Sequence, residues 1–243
     1  KIKFFLTIVL QKIYIEHQIS TLPSVAFPNL IVNFLWKPFT TKNINDNITV
    51  LNQRKKNKEE TPVIEVKNVT KKYGSFVAVD DISFTINDGE VVGFLGPNGA
   101  GKSTTMNMIT GYIEQTEGNI IVDGFDTLKK SKKAKKEIGY MPEGVPLYTD
   151  LTVKEFVTYM AELRKVDRKA KKENVQKVLK ETGLDQMQNK LIKNLSRGQK
   201  QRVSLAGTLV ADPKILILDE PTVGLDPKQI TEIRSLIKNL GKK

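Results

Sequence analysis

The chain carries Gly96-Pro97-Asn98-Gly99-Ala100-Gly101-Lys102-Ser103-Thr104, which matches the pattern G-x-x-x-x-G-K-[ST] in full. The apolar run Val91-Val92-Gly93-Phe94-Leu95 precedes this loop, and a helix-like stretch over residues 104–110 follows it. Glycines let successive backbone N–H groups turn inward around a β-phosphate, so this context predicts a nucleoside-triphosphate site. The alternative is a glycine-rich turn that matches by chance, which the flanking strand and helix disfavour.

Each part of the loop has an expected role. Lys102 is expected to neutralise charge on the β- and γ-phosphates, and Ser103 to offer its hydroxyl to Mg²⁺. A helix that begins near Gly101 would point the positive end of its dipole at the phosphates. The pattern therefore predicts Mg²⁺ as well as the nucleotide.

A second acidic segment supports this prediction. Ile215-Leu216-Ile217-Leu218 is a candidate buried parallel strand, and Asp219 and Glu220 follow at its carboxyl end, where ligands bind in open α/β folds. Asp219 suits Mg²⁺ through a bound water, and Glu220 suits the attacking water as general base. The alternative is a buried strand that ends in two surface acids.

Two further segments narrow the class of protein. Leu195-Ser196-Arg197-Gly198-Gln199 matches an LSxGQ-type signature, and Pro221-Thr222-Val223-Gly224-Leu225-Asp226-Pro227 directly follows the acidic pair. From about residue 63 to its end, the chain resembles ATP-binding-cassette (ABC) ATPases. Residues 139–143 and 147–153 are similar to bacterial export-type members, including those of multidrug or gliding-motility transport.

The resemblance implies an α/β fold: a P-loop NTPase with a RecA-like parallel-sheet core, an antiparallel β-subdomain and an α-helical subdomain. Residues 61–243 would form this ATPase domain, with the helical subdomain at about 151–194. Strand-like runs at 63–66, 83–86 and 119–124 fit the β-subdomain.

The resemblance also implies ATP as ligand and assigns further site residues. Tyr73 would stack on adenine. Two cassettes, identical or different, would sandwich two ATP molecules. Ser196 and the backbone N–H of Gly198, in the signature with Gln199, would bind the γ-phosphate held by the partner cassette, and Asp226 would communicate across the interface.

The chain departs from the family pattern at three points. Arg197 stands where the signature usually has glycine, and Glu143 where the family has a glutamine that contacts Mg²⁺. Glutamate keeps a hard oxygen ligand but adds negative charge. The only histidine, His17, lies far upstream, so we expect this chain to stop before the family's switch histidine.

Residues 1–60 resemble no family, and we expect an unassigned, poorly ordered extension that ends in the basic linker at residues 54–60. They are either a divergent extension or translated sequence upstream of the true start, and the composition favours the second. The apolar opening, residues 2–15, is shorter than the ~20 residues of a spanning helix. A signal peptide would contradict a cytosolic ATPase.

Composition excludes several alternatives. Zero cysteines exclude disulfides and thiolate zinc sites. The net charge of +12 includes a lysine run at residues 129–136, which could attract anionic lipid or nucleic acid. This run lacks interleaved aromatics for base stacking, so a solvated helix face is the plainer interpretation and nucleic acid is not an expected partner.

The sequence thus predicts an ATP-hydrolysing subunit of an exporter. No stretch after residue 60 is apolar enough to cross a bilayer, so the transport path would belong to a separate transmembrane permease subunit. That subunit would dock on the helical subdomain, with the cassette peripheral on the cytoplasmic face of the membrane. The alternative is a soluble cassette acting on ribosomes or DNA, which usually differs in cassette number or insertions.

Overall fold

The computed structural model describes residues 6–9, 40–43, 49–53, 62–144 and 146–240, with side chains from Pro62 onward. These residues divide into two compact units, one up to Glu137 and the other from Ile138. The two units are described separately below.

The first unit contains a sheet that leads into the phosphate loop. Its strands are β1 (Leu6–Val9), β2 (Thr40–Asn43), β3 (Thr49–Gln53) and β6 (Val91–Leu95), in the order β2-β3-β6-β1. β1 runs parallel to β6, and β3 runs antiparallel to both β2 and β6. The sequence predicted no regular element in the first 60 residues. The three short strands there differ from that expectation, and they are rich in the β-branched residues that favour strands.

An antiparallel sheet forms the rest of this unit. It consists of β4 (Pro62–Tyr73), β5 (Phe76–Asn87), β7 (Glu117–Val122) and β8 (Phe125–Asp126), in the order β5-β4-β7-β8. It buries Ile64, Val66 and Ile82, and the Phe84 ring packs edge-on against Phe94 of β6 at 5.4 Å between centroids. This sheet matches the predicted antiparallel β-subdomain, although β4 and β5 are longer than the predicted runs.

Helix α1 (Lys102–Ile109) follows β6, and α2 (Ser131–Glu137) follows β8. The loop after α1 returns to the antiparallel sheet, where the Thr116 N–H donates to the Thr70 carbonyl at 2.8 Å. Gln115 is buried in this loop, and neither polar atom of its amide has a hydrogen-bond partner among the described residues.

Replacing Gln115 with methionine is expected to raise the free energy of unfolding by about 1 kcal/mol, because a buried amide without a partner loses its hydration and gains nothing in return. Methionine has a similar length and an adaptable shape. Chemical denaturation measures the change. The control is Gln186→Met, at an exposed position, where we expect a change within about 0.5 kcal/mol. An equal or lower stability of Gln115→Met would contradict the prediction.

The second unit combines two parallel strands with four helices. The strands are β9 (Ile138–Met141) and β10 (Ile215–Leu218), paired so that Leu218 lies opposite Met141. All four β10 residues are buried, as the sequence predicted for a strand covered on both faces. The helices are α3 (Val153–Leu163), α4 (Arg168–Glu181), α5 (Arg197–Leu209) and α6 (Pro227–Leu240), with 3-10 turns at Asp185–Met187 and Ile192–Asn194.

Helix α3 packs against both α4 and α5, and it buries Phe156 and Val157 in this contact region. A capping box fixes where it begins: Thr152 donates to the Glu155 carboxylate through its N–H and its hydroxyl, each at 2.8 Å. These bonds to the ionised form hold the pKa of Glu155 below its ordinary value.

Within the described ranges, no helix combines the length and the apolar character that crossing a bilayer requires.

Candidate nucleotide-binding site

The phosphate loop has left-handed glycines like those of an anion-binding nest, and the lysine of the same motif donates hydrogen bonds to the loop. Lys102 is the first residue of α1 and is buried, and its ammonium group donates to the carbonyls of Gly96 and Pro97, each at 2.8 Å. Gly99 and Gly101 have φ angles of +81° and +89°, the left-handed backbone that glycine adopts readily and that anion-binding nests use. The ammonium is therefore held at the loop, within reach of a phosphate that binds there.

Gly101 also allows a close approach between the loop and β5. A Cβ atom on Gly101 would lie 2.5 Å from the carbonyl oxygen of Ala78 and 2.9 Å from the Val79 Cγ2. The Gly101 carbonyl accepts the first helical bond, from the Thr105 N–H at 2.8 Å, and a second bond from the Thr105 hydroxyl at 2.9 Å. Only glycine fits this junction, which fixes the direction in which α1 leaves the loop.

Ser103 is exposed and Thr104 half-buried in the first turn of α1, while Pro97, Asn98 and Gly99 are exposed along the loop. The first unit thus holds all the predicted loop residues together, Gly96 to Thr104. It also holds Tyr73, the last residue of β4, which is 49% exposed at the end of the β4–β5 hairpin.

The acidic pair lies at the carboxyl end of β10 in the second unit. The Asp219 N–H donates to the Met141 carbonyl at 2.9 Å, which ties it to the end of β9. Asp219 and Glu220 are both buried, at 6% and 9% exposure. The alternative that Asp219 and Glu220 are two surface acids after a buried strand is therefore wrong.

Glu220 has a φ angle of +47°. A non-glycine residue in this left-handed region costs on the order of 1–3 kcal/mol, and such strain concentrates at functional sites. No part of the sequence pattern indicated this conformation. Glu143 lies in the turn after β9 and is exposed. Because β9 and β10 are parallel and in register, Glu143 and Glu220 each follow the same sheet edge by two residues.

The signature and the segment after the acidic pair meet around one cavity of about 390 Å³ within the second unit. Ser196 caps α5 by accepting from the Gln199 N–H at 3.3 Å, and the Gln199 side chain accepts from the Ser196 N–H at 2.9 Å. Asp226 accepts from the Gln229 N–H at 2.9 Å, at the beginning of α6. The lining includes these four residues and Gly183, Met187, Gly198, Arg202, Lys228, Glu232 and Ile233.

The N-termini of α5 and α6 therefore border the same cavity, and its charged lining residues are two basic side chains, Arg202 and Lys228, and two acidic ones, Asp226 and Glu232. Gly198 is buried against the Gln229 side chain, since a Cβ on Gly198 would lie 3.0 Å from the Gln229 Cδ. The sequence predicted Ser196, Gly198, Gln199 and Asp226 but missed Gln229. Gln229 lies three residues after Asp226, which caps α6, and this spacing was the signal in the sequence that could have indicated it.

Arg197, the departure from the usual signature glycine, covers Gly224. A Cβ on Gly224 would lie 2.1 Å from the Arg197 Cζ, so the guanidinium lies directly against the Gly224 backbone. Gly224 has a φ angle of +68°, as expected for the predicted tight turn. The long side chain thus links the signature to the segment that contains Asp226.

Known proteins are similar to this chain in sequence and in structure. The family model for ABC transporters matches residues 79–223. An uncharacterized ABC transporter ATP-binding protein of Bacillus subtilis, YhcH, is 43% identical over 181 residues, which are 73% of this chain and 57% of that protein. The lipopolysaccharide export system ATP-binding protein LptB of Haemophilus influenzae is 36% identical over 181 residues, 73% of this chain and 75% of that protein.

Among solved structures, cbiO1 of Clostridium perfringens, part of the ABC transporter complex cbiONQ, superimposes with a TM-score of 0.66 at 31% identity, covering 76% of this chain and 75% of that chain.

The chain belongs to the ABC transporter family and is similar to its ATP-binding subunits. This confirms the predicted family and the P-loop ABC cassette fold, and it implies ATP as ligand. It does not favour the alternative of a soluble cassette acting on ribosomes or DNA. The chain spans 57% of YhcH and 75% of LptB.

Proposed function

We propose that this cassette binds and hydrolyses ATP with Mg²⁺ and so drives export through a separate transmembrane subunit. The observation that carries the proposal is the phosphate loop, where a buried Lys102 ammonium is held by two loop carbonyls at the N-terminus of α1. A bound triphosphate replaces those carbonyls as the partner of the ammonium. The bond from the ammonium to an anionic phosphate oxygen is stronger than its bond to a neutral carbonyl oxygen. The exchange of partners therefore favours nucleotide binding.

We propose Ser103, Glu143 and Asp219 as the residues that would hold Mg²⁺, because their hydroxyl and carboxylate oxygens are the hard ligands that this ion prefers. Ser103 and Glu143 are exposed. The described residues contain no cluster of three or more acidic, histidine or cysteine side chains that could hold a metal alone. Mg²⁺ in nucleotide sites needs only one or two carboxylates, because substrate phosphates complete its shell. When bound, it neutralises charge that develops on the phosphates.

Glu220 is the proposed general base. Its carboxylate is buried and its backbone strained, so the chain holds the side chain in one place at the carboxyl end of β10. A carboxylate in that position orients the attacking water and accepts its proton. Asp219, one residue earlier, serves the metal.

A second cassette, identical or different, completes the site. Ser196 caps α5 as an acceptor, and its hydroxyl proton remains available for a phosphate oxygen. The Gly198 N–H lies in the first turn of the same helix, where N–H groups have no helical partner. Ser196 and Gly198 bind the γ-phosphate of the partner cassette's ATP, with Gln199 and Asp226 at the same cavity. ATP thereby closes the dimer, and hydrolysis opens it.

The helical subdomain, at about residues 151–194, and the segment just before it offer a surface for the transmembrane subunit. An open apolar groove beside α3 is lined by Leu147, Tyr148, Thr149, Asp150, Leu151 and Tyr159. Tyr148 is 55% exposed, and its ring meets Tyr159 edge-on at 5.4 Å. Exposed aromatic residues of this kind favour protein–protein contact. Docking there places the cassette on the cytoplasmic face of the membrane, and the export role of LptB supports the direction.

The deciding experiment measures ATP binding by Lys102→Ala. Loss of the ammonium removes a charge-assisted contact, so we expect the ATP dissociation constant to rise roughly 10- to 100-fold. The matched control is Lys154→Ala, an exposed lysine on α3, whose affinity should stay within about twofold of the unmutated chain. Calorimetric titration with ATP and Mg²⁺ reports both. Equal affinities for Lys102→Ala and Lys154→Ala would refute the proposed site.

A further inference from the structure

We infer that Phe76 is a second aromatic residue that contacts the nucleotide base, opposite Tyr73 on the same hairpin. This inference rests on the proposed function, because it concerns the same ATP site. The starting observation is that Phe76 is 64% exposed although it is a large apolar residue at the end of a strand. Nothing in the sequence motifs indicated a role for it.

The hairpin places Phe76 directly beside Tyr73. Residues Gly74 and Ser75 form the two-residue turn, and Tyr73 and Phe76 are the first pair across it. Directly opposed residues of an antiparallel pair point to the same face, with Cβ atoms about 5 Å apart. One hairpin face therefore carries two adjacent exposed aromatic side chains.

A register shift then turns this face toward the phosphate loop. Lys72 pairs with Val77, but Lys71 pairs with Val79, so β5 has one extra residue, Ala78, between these pairs. Lys71 and Tyr73 share a face because they are two apart in β4. Val79 therefore shares the face of Phe76, which regular alternation would not allow.

Val79 connects this face to the nucleotide site. Its Cγ2 atom and the Ala78 carbonyl are the atoms that a Cβ on Gly101 would strike. Phe76 lies two to three residues before this contact, or about 7–10 Å along the strand. That separation is comparable to the span between the phosphates and the base of a nucleotide.

A lysine side chain covers one face of the Tyr73 ring. The Lys71 ammonium lies over the Tyr73 ring, 5.0 Å from its centroid, and donates to the Glu114 carbonyl at 2.7 Å. A base must then stack on the opposite face of the ring, where a neighbouring aromatic side chain can cover its edge or its other face. Stacking recognises the base without reading its hydrogen-bonding edge.

The test compares Phe76→Ala with Val77→Ala. Val77 is the next residue, 44% exposed, and it lies on the other face of the same hairpin. The full chain is titrated with ATP, GTP and tripolyphosphate, the last being the phosphate chain without a base. We expect Phe76→Ala to weaken ATP and GTP binding about tenfold and to leave tripolyphosphate binding unchanged.

Phe76→Tyr should bind ATP within about twofold of the unmutated chain, because it keeps the ring. Equal ATP affinities for Phe76→Ala and Val77→Ala would overturn the inference, as would an equal loss of tripolyphosphate binding. If Lys102→Ala also leaves ATP binding unchanged, the proposed function fails. If Lys102→Ala weakens ATP binding but Phe76→Ala does not, the proposed ATP site is supported and the role of Phe76 is refuted.

Discussion

Replacing Glu220 with glutamine is expected to slow ATP hydrolysis by about 10²–10⁴-fold, the range that general-base catalysis supplies. The amide has nearly the same size and shape as the carboxylate, but it cannot accept the proton of the attacking water. Binding does not need that proton transfer, so ATP affinity should be retained. Phosphate release under saturating ATP and calorimetric titration separate the two effects.

The same variant should accumulate a closed ATP-bound dimer, because the step that opens the dimer is lost. Size-exclusion chromatography with and without ATP detects that species. The matched control is Glu173→Gln on the exposed surface of α4, which should hydrolyse ATP at the unmutated rate. If Glu220→Gln hydrolyses ATP as fast as Glu173→Gln does, Glu220 is not the general base.

Replacing Gly101 with alanine should lower the free energy of unfolding by about 2–5 kcal/mol. One part is the left-handed backbone, which costs an alanine roughly 1–2 kcal/mol. The other part is overlap with the Ala78 carbonyl at 2.5 Å, and displacing a packed backbone costs about 1–3 kcal/mol. ATP binding should weaken more than tenfold, because the loop and the beginning of α1 must move together.

Gly89→Ala separates these two contributions. Gly89 has a similar φ angle of +76°, lies outside the phosphate loop, and has open space where a Cβ would be. Its substitution should therefore cost only the backbone part, about 1–2 kcal/mol, with unchanged ATP affinity. Chemical denaturation and ATP titration of both variants check this. Equal costs at the two glycines would show that the approach of Ala78 to Gly101 does not constrain the loop.

Sequence reasoning predicted the local structure of the phosphate loop and of the signature because the signals for both are local. The phosphate loop needs glycines, a lysine and a hydroxyl at fixed spacing beside one strand and one helix, and the structure places Gly96 to Thr104 in that arrangement. The capping box of Ser196 and Gln199 likewise lies within four residues. The roles of Tyr73, Glu143, Asp219 and Asp226 remain predictions.

Sequence reasoning was weaker where long strands lose their alternation. The run predicted at residues 63–66 is part of a strand that extends to Tyr73, and the run at 83–86 is part of one that begins at Phe76. Register shifts interrupt the pairing of β4 with β5, and Asn68 and Asp81 have positive φ angles beside them. A period of two residues cannot be followed through such irregularities.

The sequence by itself determined the family and the fold class of this cassette, because the motifs that define them are particular residue types at short, fixed spacings. Three features emerged only from packing: the strained backbone of Glu220, the cavity between the beginnings of α5 and α6, and the shared face of Tyr73, Phe76 and Val79. Each depends on contacts between residues far apart in the chain or on a local shift in strand pairing. Side-chain direction and burial at such places follow from the folded neighbours, which no short window of sequence contains.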